Sequence, residues 1–357
     1  MKDGITKDQS KMLQGLAILM MLYHHLFSTP EALGIEYRSL LQFGSLNIEL
    51  HMAWFFKICV AIYAFVSGYG LCRGIRHTDN PDEGFFANLI KKYIFVLKKL
   101  LNFMIQYWLV FIIFVPIGFV FFGKPFDFKE FVLNFLGISS DYNGAWWYVF
   151  QYIKMLLLLP ILDSLFSWGK NKRVNISRIV FFIVILGLII ALRVSSPVTF
   201  AIVLDFFQPA FLLCFVIGYL FSRFKIYEFF YKLIPTKILY FLGILGFLAV
   251  IVVRVKMAKD ASSAGLDFVF VPIFAYGFCV IMTLLPRVSG IFRYLGFLST
   301  FMWLTHVFYY DHYAKSLVMF SRFSTGIYIT LLLLSVLTGI VLKLIYQKGI
   351  QRVIHVV

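Results

Sequence analysis

Long apolar stretches follow one another along almost the whole chain, and they constrain its fold more than any other feature. Ten of them approach the length of about 20 residues that an α-helix needs to cross a bilayer. Of the 357 residues, 61% are hydrophobic and 14% are charged, whereas soluble globular chains are about half apolar and about a quarter charged. The sequence therefore predicts an all-α integral membrane protein, in which residues 1–357 form one polytopic domain with a bundle of about ten transmembrane helices. The predicted spans are 12–28, 50–72, 93–122, 146–166, 177–194, 198–221, 237–255, 266–285, 291–314 and 325–346.

The basic residues alternate with the predicted spans. About two thirds of the 33 Lys and Arg residues fall in the segments that share a side with the N-terminus. The positive-inside rule then predicts that both termini are cytoplasmic and that the protein lies in the cell membrane. Because the formal charge of +16 is spread over many loops, we expect membrane lipid as the surroundings and no nucleic acid as a partner.

Several predicted spans carry ionisable residues at a similar depth, in the half of the bilayer away from the N-terminus. At the helical rise of 1.5 Å per residue, His24 and His306 lie roughly 20 Å beyond the basic residues that begin their spans. Ionisable side chains inside a membrane usually face the bundle interior and mark a functional site. Snorkelling of a lysine or a hydrogen bond to a carbonyl would explain single members of the set. The layer comprises His24, His25, Lys57, Lys154, Asp205, His306, Asp311 and His312.

The adjacent pair His24 and His25 is the candidate catalytic feature. A neutral imidazole can take a proton from a hydroxyl and pass it on, which is general acid–base catalysis. Adjacent helical residues point about 100° apart, so only one of the two can face a given site, and the sequence leaves open which. On the fourth predicted span, Trp147 belongs either to an interfacial aromatic belt or to a face turned away from lipid.

Basic residues cluster where the third predicted span begins. The lysine pairs are about two helical turns apart, so they form a stripe along one side of a helix. Two interpretations stay open: an anchor for anionic lipids, and a binding site for the phosphates of a cytoplasmic acyl carrier. The members are Arg73, Arg76, Lys91, Lys92, Lys98 and Lys99.

The spacing of cysteine and histidine predicts neither a metal site nor a bound cofactor. The four cysteines lie in or at the ends of apolar spans without paired spacing. Among the histidines of the spans, none share the i, i+3 or i, i+4 spacing that commonly fixes a metal on one helix.

Five segments, in this order, resemble the acyltransferase-3 family of multi-pass membrane acyltransferases. They are MLQGLAILMMLYHHLF, FVSGYGL, IKKYIFVLKKLLNFMIQYW, WWYVFQYIKMLLLLP and LSTFMWLTHVFYY. The resemblance covers nearly the whole chain. It implies transfer of an acyl group, commonly acetyl from acetyl-CoA as co-substrate, to a hydroxyl of a cell-surface polysaccharide or glycolipid sugar.

The resemblance also implies roles for particular residues. The family has a histidine eleven residues after an arginine in the first span; here Gln14 stands at the arginine position and His25 at the histidine, and a shift of one residue selects His24. The paired arginines that the family has at the entry to the third span are lysines here, and Arg73 and Arg76 match the arginine spacing earlier in the chain. Both clusters are therefore candidates for binding acyl-CoA phosphates.

Two other functions are compatible with the sequence. A transporter or flippase for a lipid-linked sugar or a small solute would also have ionisable residues and prolines inside its spans, although no inverted repeat is visible. An inactive assembly partner of a polysaccharide-export complex is the third hypothesis. For the enzyme, we expect Lys154, Asp205, His306, Lys57 and Trp147 to line the polar chamber that receives the acceptor.

Overall fold

A computed structural model of the chain describes residues 2–29, 31, 34, 37–43, 46–80, 82–167, 208–257 and 265–350. These ranges are built almost entirely from helices, which confirms the all-α prediction. A short antiparallel ribbon follows the first helix. Its two strands have two residues each, Gln42–Phe43 (β1) and Leu46–Asn47 (β2). The predicted span 177–194, the first part of the span 198–221 and Asp205 lie outside the described residues.

Each predicted span that the structure describes is helical, and three short helices lie between the spans. Short 3₁₀ segments, Arg76–Thr78 and Gly144–Trp146, and a π-helical turn, Phe308–Tyr313, extend three of them. In chain order, the α-helices of the described ranges are α1 (Lys7–Phe27), α2 (Ile48–Phe56), α3 (Ile58–Ile75), α4 (Phe85–Phe121), α5 (Phe128–Phe135), α6 (Trp147–Ser167), α7 (Pro209–Arg223), α8 (Ile226–Leu233), α9 (Thr236–Met257), α10 (Asp267–Leu284), α11 (Pro286–Val307), α12 (Lys315–Val318) and α13 (Ser324–Ile345).

The lengths and compositions of these helices are those of a multi-pass membrane protein. Six helical segments in the described part of the chain are long and apolar enough to cross a membrane, and α7 with α8 would add a seventh crossing bent by 53°. Helices α1 and α11 are of similar length, 21 and 22 residues, but they carry more polar side chains. On α9 and α13, large apolar side chains such as Phe241 and Leu337 are exposed, as expected for helices that face lipid.

Two of the predicted spans differ in detail from the helices observed. The span 50–72 is divided between α2 and α3 at Lys57, whose backbone N–H donates to the Trp54 carbonyl three residues earlier, so the chain makes a tight turn there. Helix α4 has 37 residues and is therefore about 55 Å long. It exceeds the hydrocarbon core of about 30 Å, so it is tilted or extends beyond the core. Pro116 lies inside its last turns.

Helices α1 and α11 run in the same direction and approach each other to backbone distance. A Cβ added to Gly15 would stand 1.9 Å from the Phe292 carbonyl oxygen, and one added to Gly296 would stand 1.8 Å from the Lys11 carbonyl oxygen. Only glycine leaves room for such a contact. We call the end of the bundle at which α1 begins at Lys7 the basic side, and the end at which α1 finishes at Phe27 the far side.

Candidate active site

A cavity lies inside the bundle between α1, α3, α4, α6 and α11. Its empty volume is about 720 Å³ including its mouth. It extends along α1 from Gln14 to His25, a distance of about 16 Å at the helical rise. Hydroxyl and amide groups alternate with aromatic rings on its wall; the polar lining residues are Gln14, His25, Tyr63, Ser67, Tyr148, Tyr152, Ser299 and Thr300.

His25 lies at the far-side end of this cavity. It is beside His306 and Tyr310, which follow Gly296 in the chain. The ring of His25 lies 5.0 Å from the ring of His306, centre to centre, and 6.4 Å from the ring of Tyr310. The Tyr310 hydroxyl is 3.5 Å from His25 Nδ1, at the limit of a hydrogen bond. The structure thus brings together an imidazole from α1, an imidazole from the last turn of α11 and a phenol from the π-helical turn.

The hydrogen bond that His306 makes defines its tautomer and leaves its second ring nitrogen as an acceptor. Its Nδ1 lies 2.7 Å from the Trp303 carbonyl oxygen, and because a carbonyl only accepts, Nδ1 carries the hydrogen. In the neutral ring Nε2 is then a lone-pair acceptor. This atom is buried and has no hydrogen-bond partner among the residues that the structure describes.

His24 faces another part of the bundle. Its Nδ1 donates to the Ala53 carbonyl of α2 over 2.7 Å, and its ring is 5.6 Å from that of His25. His24 is not among the cavity-lining residues, whereas His25 is. The angle of about 100° between adjacent helical residues therefore separates a histidine that packs against α2 from one that faces the cavity.

The tryptophans of the far side form part of the cavity wall or support it. Trp147 lines the cavity, and its ring is 5.4 Å from that of Phe211 on α7. The indole N–H of Trp303 donates to the Ala145 carbonyl over 3.2 Å, and that of Trp146 donates to the Leu304 carbonyl over 3.0 Å. These bonds join the start of α6 to α11 immediately beside His306.

Lys57 and Lys154 do not line the cavity that contains His25. Lys57 is half-buried at the junction of α2 and α3. Lys154 is buried on α6, with its ammonium 4.3 Å from the centre of the Phe150 ring. Of the predicted chamber residues within the described ranges, Trp147 lines the cavity and His306 adjoins it.

The lysines of α4 occupy different environments rather than one binding surface. Lys92 is 1% exposed, and its ammonium lies 2.9 Å from Asp79 and 2.8 Å from Asp163. It does not fit the role of a phosphate ligand predicted for it, because two carboxylates already surround its charge. Lys91, one position earlier, is exposed and pairs with Glu83 at 2.5 Å, and this hydrogen bond lowers the pKa of the Glu83 carboxyl.

The remaining members of the predicted basic cluster lie outside the cavity as well. Lys98 is exposed beside the apolar side chains of Ile94 and Leu101, and the ammonium of Lys99 lies 5.4 Å from the centre of the Phe95 ring. Arg73 donates to the Asp3 carbonyl and lies 3.6 Å from Glu228, and Arg76 is exposed.

Sequence reasoning missed two buried charge clusters. Asp163 is fully buried near the basic-side end of α6, where it accepts from the Tyr219 hydroxyl over 2.7 Å in addition to pairing with Lys92. The sequence could have identified Asp163, since an acidic residue inside the apolar run 146–166 usually faces the bundle interior. The second cluster is the buried two-bond pair of Arg254 and Asp267, with N–O distances of 2.6 and 3.1 Å, which joins the facing ends of α9 and α10.

Among the described residues, no group of three or more His, Cys, Asp or Glu side chains is arranged to hold a metal ion. His25 lines the cavity and His306 adjoins it, and their imidazole nitrogens are suited to proton transfer beside the hydroxyl-bearing wall.

Comparison with known proteins identifies the chain. No curated protein and no solved structure matches it significantly. A family model that describes an acyltransferase domain matches residues 9–345, a range that includes all the α-helices described above except the first two residues of α1. The chain is therefore a multi-pass membrane acyltransferase that belongs to the acyltransferase-3 family.

Proposed function

We propose that the protein transfers an acyl group, acetyl in the first instance, from acyl-CoA to a hydroxyl of a cell-surface polysaccharide or glycolipid sugar. The observation that supports this most is the position of His25 at one end of a cavity that begins near the basic side at Gln14. Such a cavity allows a donor from one side and an acceptor from the other to meet at an imidazole inside the bundle.

His25 is the general base in this proposal. The neutral imidazole takes the proton of the acceptor hydroxyl as the oxygen attacks the thioester carbonyl carbon. The C–S bond then breaks, and the imidazolium returns the proton to the departing thiolate, so that the products are an ester and free CoA. The lone pair of His306 Nε2 and the hydroxyl of Tyr310 are placed to accept and donate hydrogen bonds around the reacting groups.

The charge distribution supports one direction of transfer. The basic side carries the excess of Lys and Arg residues, so we place this side and both termini in the cytoplasm and the protein in the cell membrane. Acyl-CoA is a cytoplasmic metabolite, which fits entry from the basic side. The far-side loops and the His25 end of the cavity then face the surface sugars.

Transfer of radiolabelled acetyl groups by the purified chain tests this function. We expect label from acetyl-CoA to appear on polysaccharide or glycolipid extracted from the source cells, and we expect His25→Ala to abolish it. His24→Ala is the matched control, because His24 bonds to Ala53 outside the cavity. Transfer at the wild-type rate by folded His25→Ala would refute the proposed base.

A further inference from the structure

Two lysines from different helices place their ammonium groups at the same turn of α11. Lys11 Nζ of α1 lies 3.5 Å from the Gly296 carbonyl oxygen. Lys343 Nζ of α13 lies 4.4 Å from the centre of the ring of Phe297, the next residue. Both side chains are half-buried, and the two positive charges are close enough to repel each other.

These two charges have no carboxylate partner in the described part of the chain. The nearest acidic residue on α1, Asp8, is already paired with Arg293 of α11 at 2.9 Å. Bringing two like charges together away from bulk water is unfavourable. A bound anion would relieve this repulsion, so the two ammonium groups form a candidate anion site.

The anion site adjoins the basic-side end of the cavity. The Lys11 ammonium donates to Gln14 Oε1 over 2.9 Å, and Gln14 lines the cavity. Lys343 is connected to the cavity through Tyr346, whose ring centre lies 5.8 Å from Lys343 Nζ. The Tyr346 hydroxyl donates to Asn102, and the next residue, Phe103, lines the cavity. A ligand bound to both lysines would thus lie next to the basic-side end of the cavity.

Three other cations on the basic side are already paired with carboxylates. Lys92 lies between two carboxylates, Lys91 pairs with Glu83, and Arg73 pairs with Glu228. Because Lys11 and Lys343 carry charge that the described carboxylates do not neutralise, they are better placed than Lys91 and Lys92 to receive phosphate.

We propose that Lys11 and Lys343 bind the phosphate groups of the acyl donor, so that the thioester arm extends through the cavity from Gln14 toward His25. This inference rests on the proposed function and specifies where its donor is held. The arm would cover the distance of about 16 Å that separates those two residues along α1.

Binding of CoA to the purified full-length chain in zwitterionic nanodiscs, measured by titration calorimetry, tests the site. Each charge-assisted contact to phosphate is worth enough that Lys11→Met and Lys343→Met should each weaken CoA binding about tenfold or more. Lys11→Arg and Lys343→Arg keep the charge and should bind CoA within about threefold of wild type. The matched control is Lys348→Met, an exposed lysine five residues beyond Lys343, which should bind CoA as wild type does.

The outcomes separate this inference from its alternatives. Wild-type CoA affinity in both methionine variants would overturn it, as would absence of CoA binding by the wild-type chain. If the variants keep CoA affinity but lose phosphatidylglycerol in native mass spectrometry, the site binds a lipid headgroup and the donor assignment is wrong. If CoA binding depends on the two lysines but no acyl transfer occurs, the proposed function is refuted and the site is not. If transfer depends on His25 but the KM for the donor is unchanged in Lys11→Met and Lys343→Met, the site alone is refuted.

Discussion

The imidazole rings of His25 and His306 lie 5.0 Å apart, and each histidine is ten residues beyond a glycine at which its helix touches the other. Because α1 and α11 run in the same direction from that contact, equal numbers of residues bring both histidines to the same height. The close contact of Gly15 and Gly296 therefore sets the geometry of the candidate active site from about 15 Å away.

Replacing His306 should impair catalysis. In His306→Asn the amide can still donate to the Trp303 carbonyl, but the lone pair of Nε2 is lost. We expect kcat to fall by about 100-fold, within the range typical of a lost acid–base or proton-holding group. His51→Asn is the control, since His51 bonds to the Asn47 carbonyl outside the cavity; an unchanged kcat in folded His306→Asn would show that the second imidazole plays no part.

Enlarging the contact glycines should destabilise the protein. In Gly296→Ala the new methyl group meets the backbone oxygen of Lys11 at 1.8 Å, so the helices must move apart. We expect a loss of about 2 kcal/mol in the free energy of unfolding, as for overpacked interiors, and a lower thermal midpoint in detergent. Gly290→Ala lies on the same helix with no atom within 4 Å of the added Cβ, and it should leave the midpoint unchanged. Equal midpoints for the two variants would contradict the packing account.

Adjacent lysines on α4 should differ sharply in their contribution to stability. Lys92→Met leaves Asp163 and Asp79 without the buried ammonium between them, and removing one partner of a buried ion pair costs about 3–5 kcal/mol. Lys91→Met removes only an exposed pair with Glu83, which water and salt screen, so its contribution to stability is small. Thermal unfolding of both variants measures the difference, and a Lys92→Met midpoint equal to that of Lys91→Met would mean that the buried cluster does not hold α4 to α6.

The apolar runs were sufficient to predict the long helices of the described ranges, because a span of about 20 residues needs no tertiary information to be recognised. They could not predict the break at Lys57, where neither glycine nor proline marks the turn. They also could not tell Lys92, buried among carboxylates, from Lys91, exposed beside it, since the rotation of α4 about its axis depends on what it packs against.

The candidate site was predictable in part, because the depth of a residue along a span can be counted from the sequence. Counting residues from the basic ends of α1 and α11 placed His24 and His306 at one depth, and the rings of this region do lie together. Choosing His25 over His24 requires the direction in which each side chain leaves α1, which only the packing against α2 and α11 defines. The site at Lys11 and Lys343 was not predictable, because nothing in the sequence reveals that α1 and α13 meet the same turn of α11.

The most direct test of the central claim, that His25 joins a donor from the basic side to an acceptor from the far side, is a sided transfer assay in proteoliposomes. Labelled acetyl-CoA is sealed inside vesicles that hold the protein with its basic side inward, and acceptor glycan is supplied outside. We predict that the outer glycan becomes acetylated by the wild-type chain and by His24→Ala but not by His25→Ala. Transfer that requires donor and acceptor in the same compartment, or transfer by His25→Ala at the wild-type rate, would contradict the account.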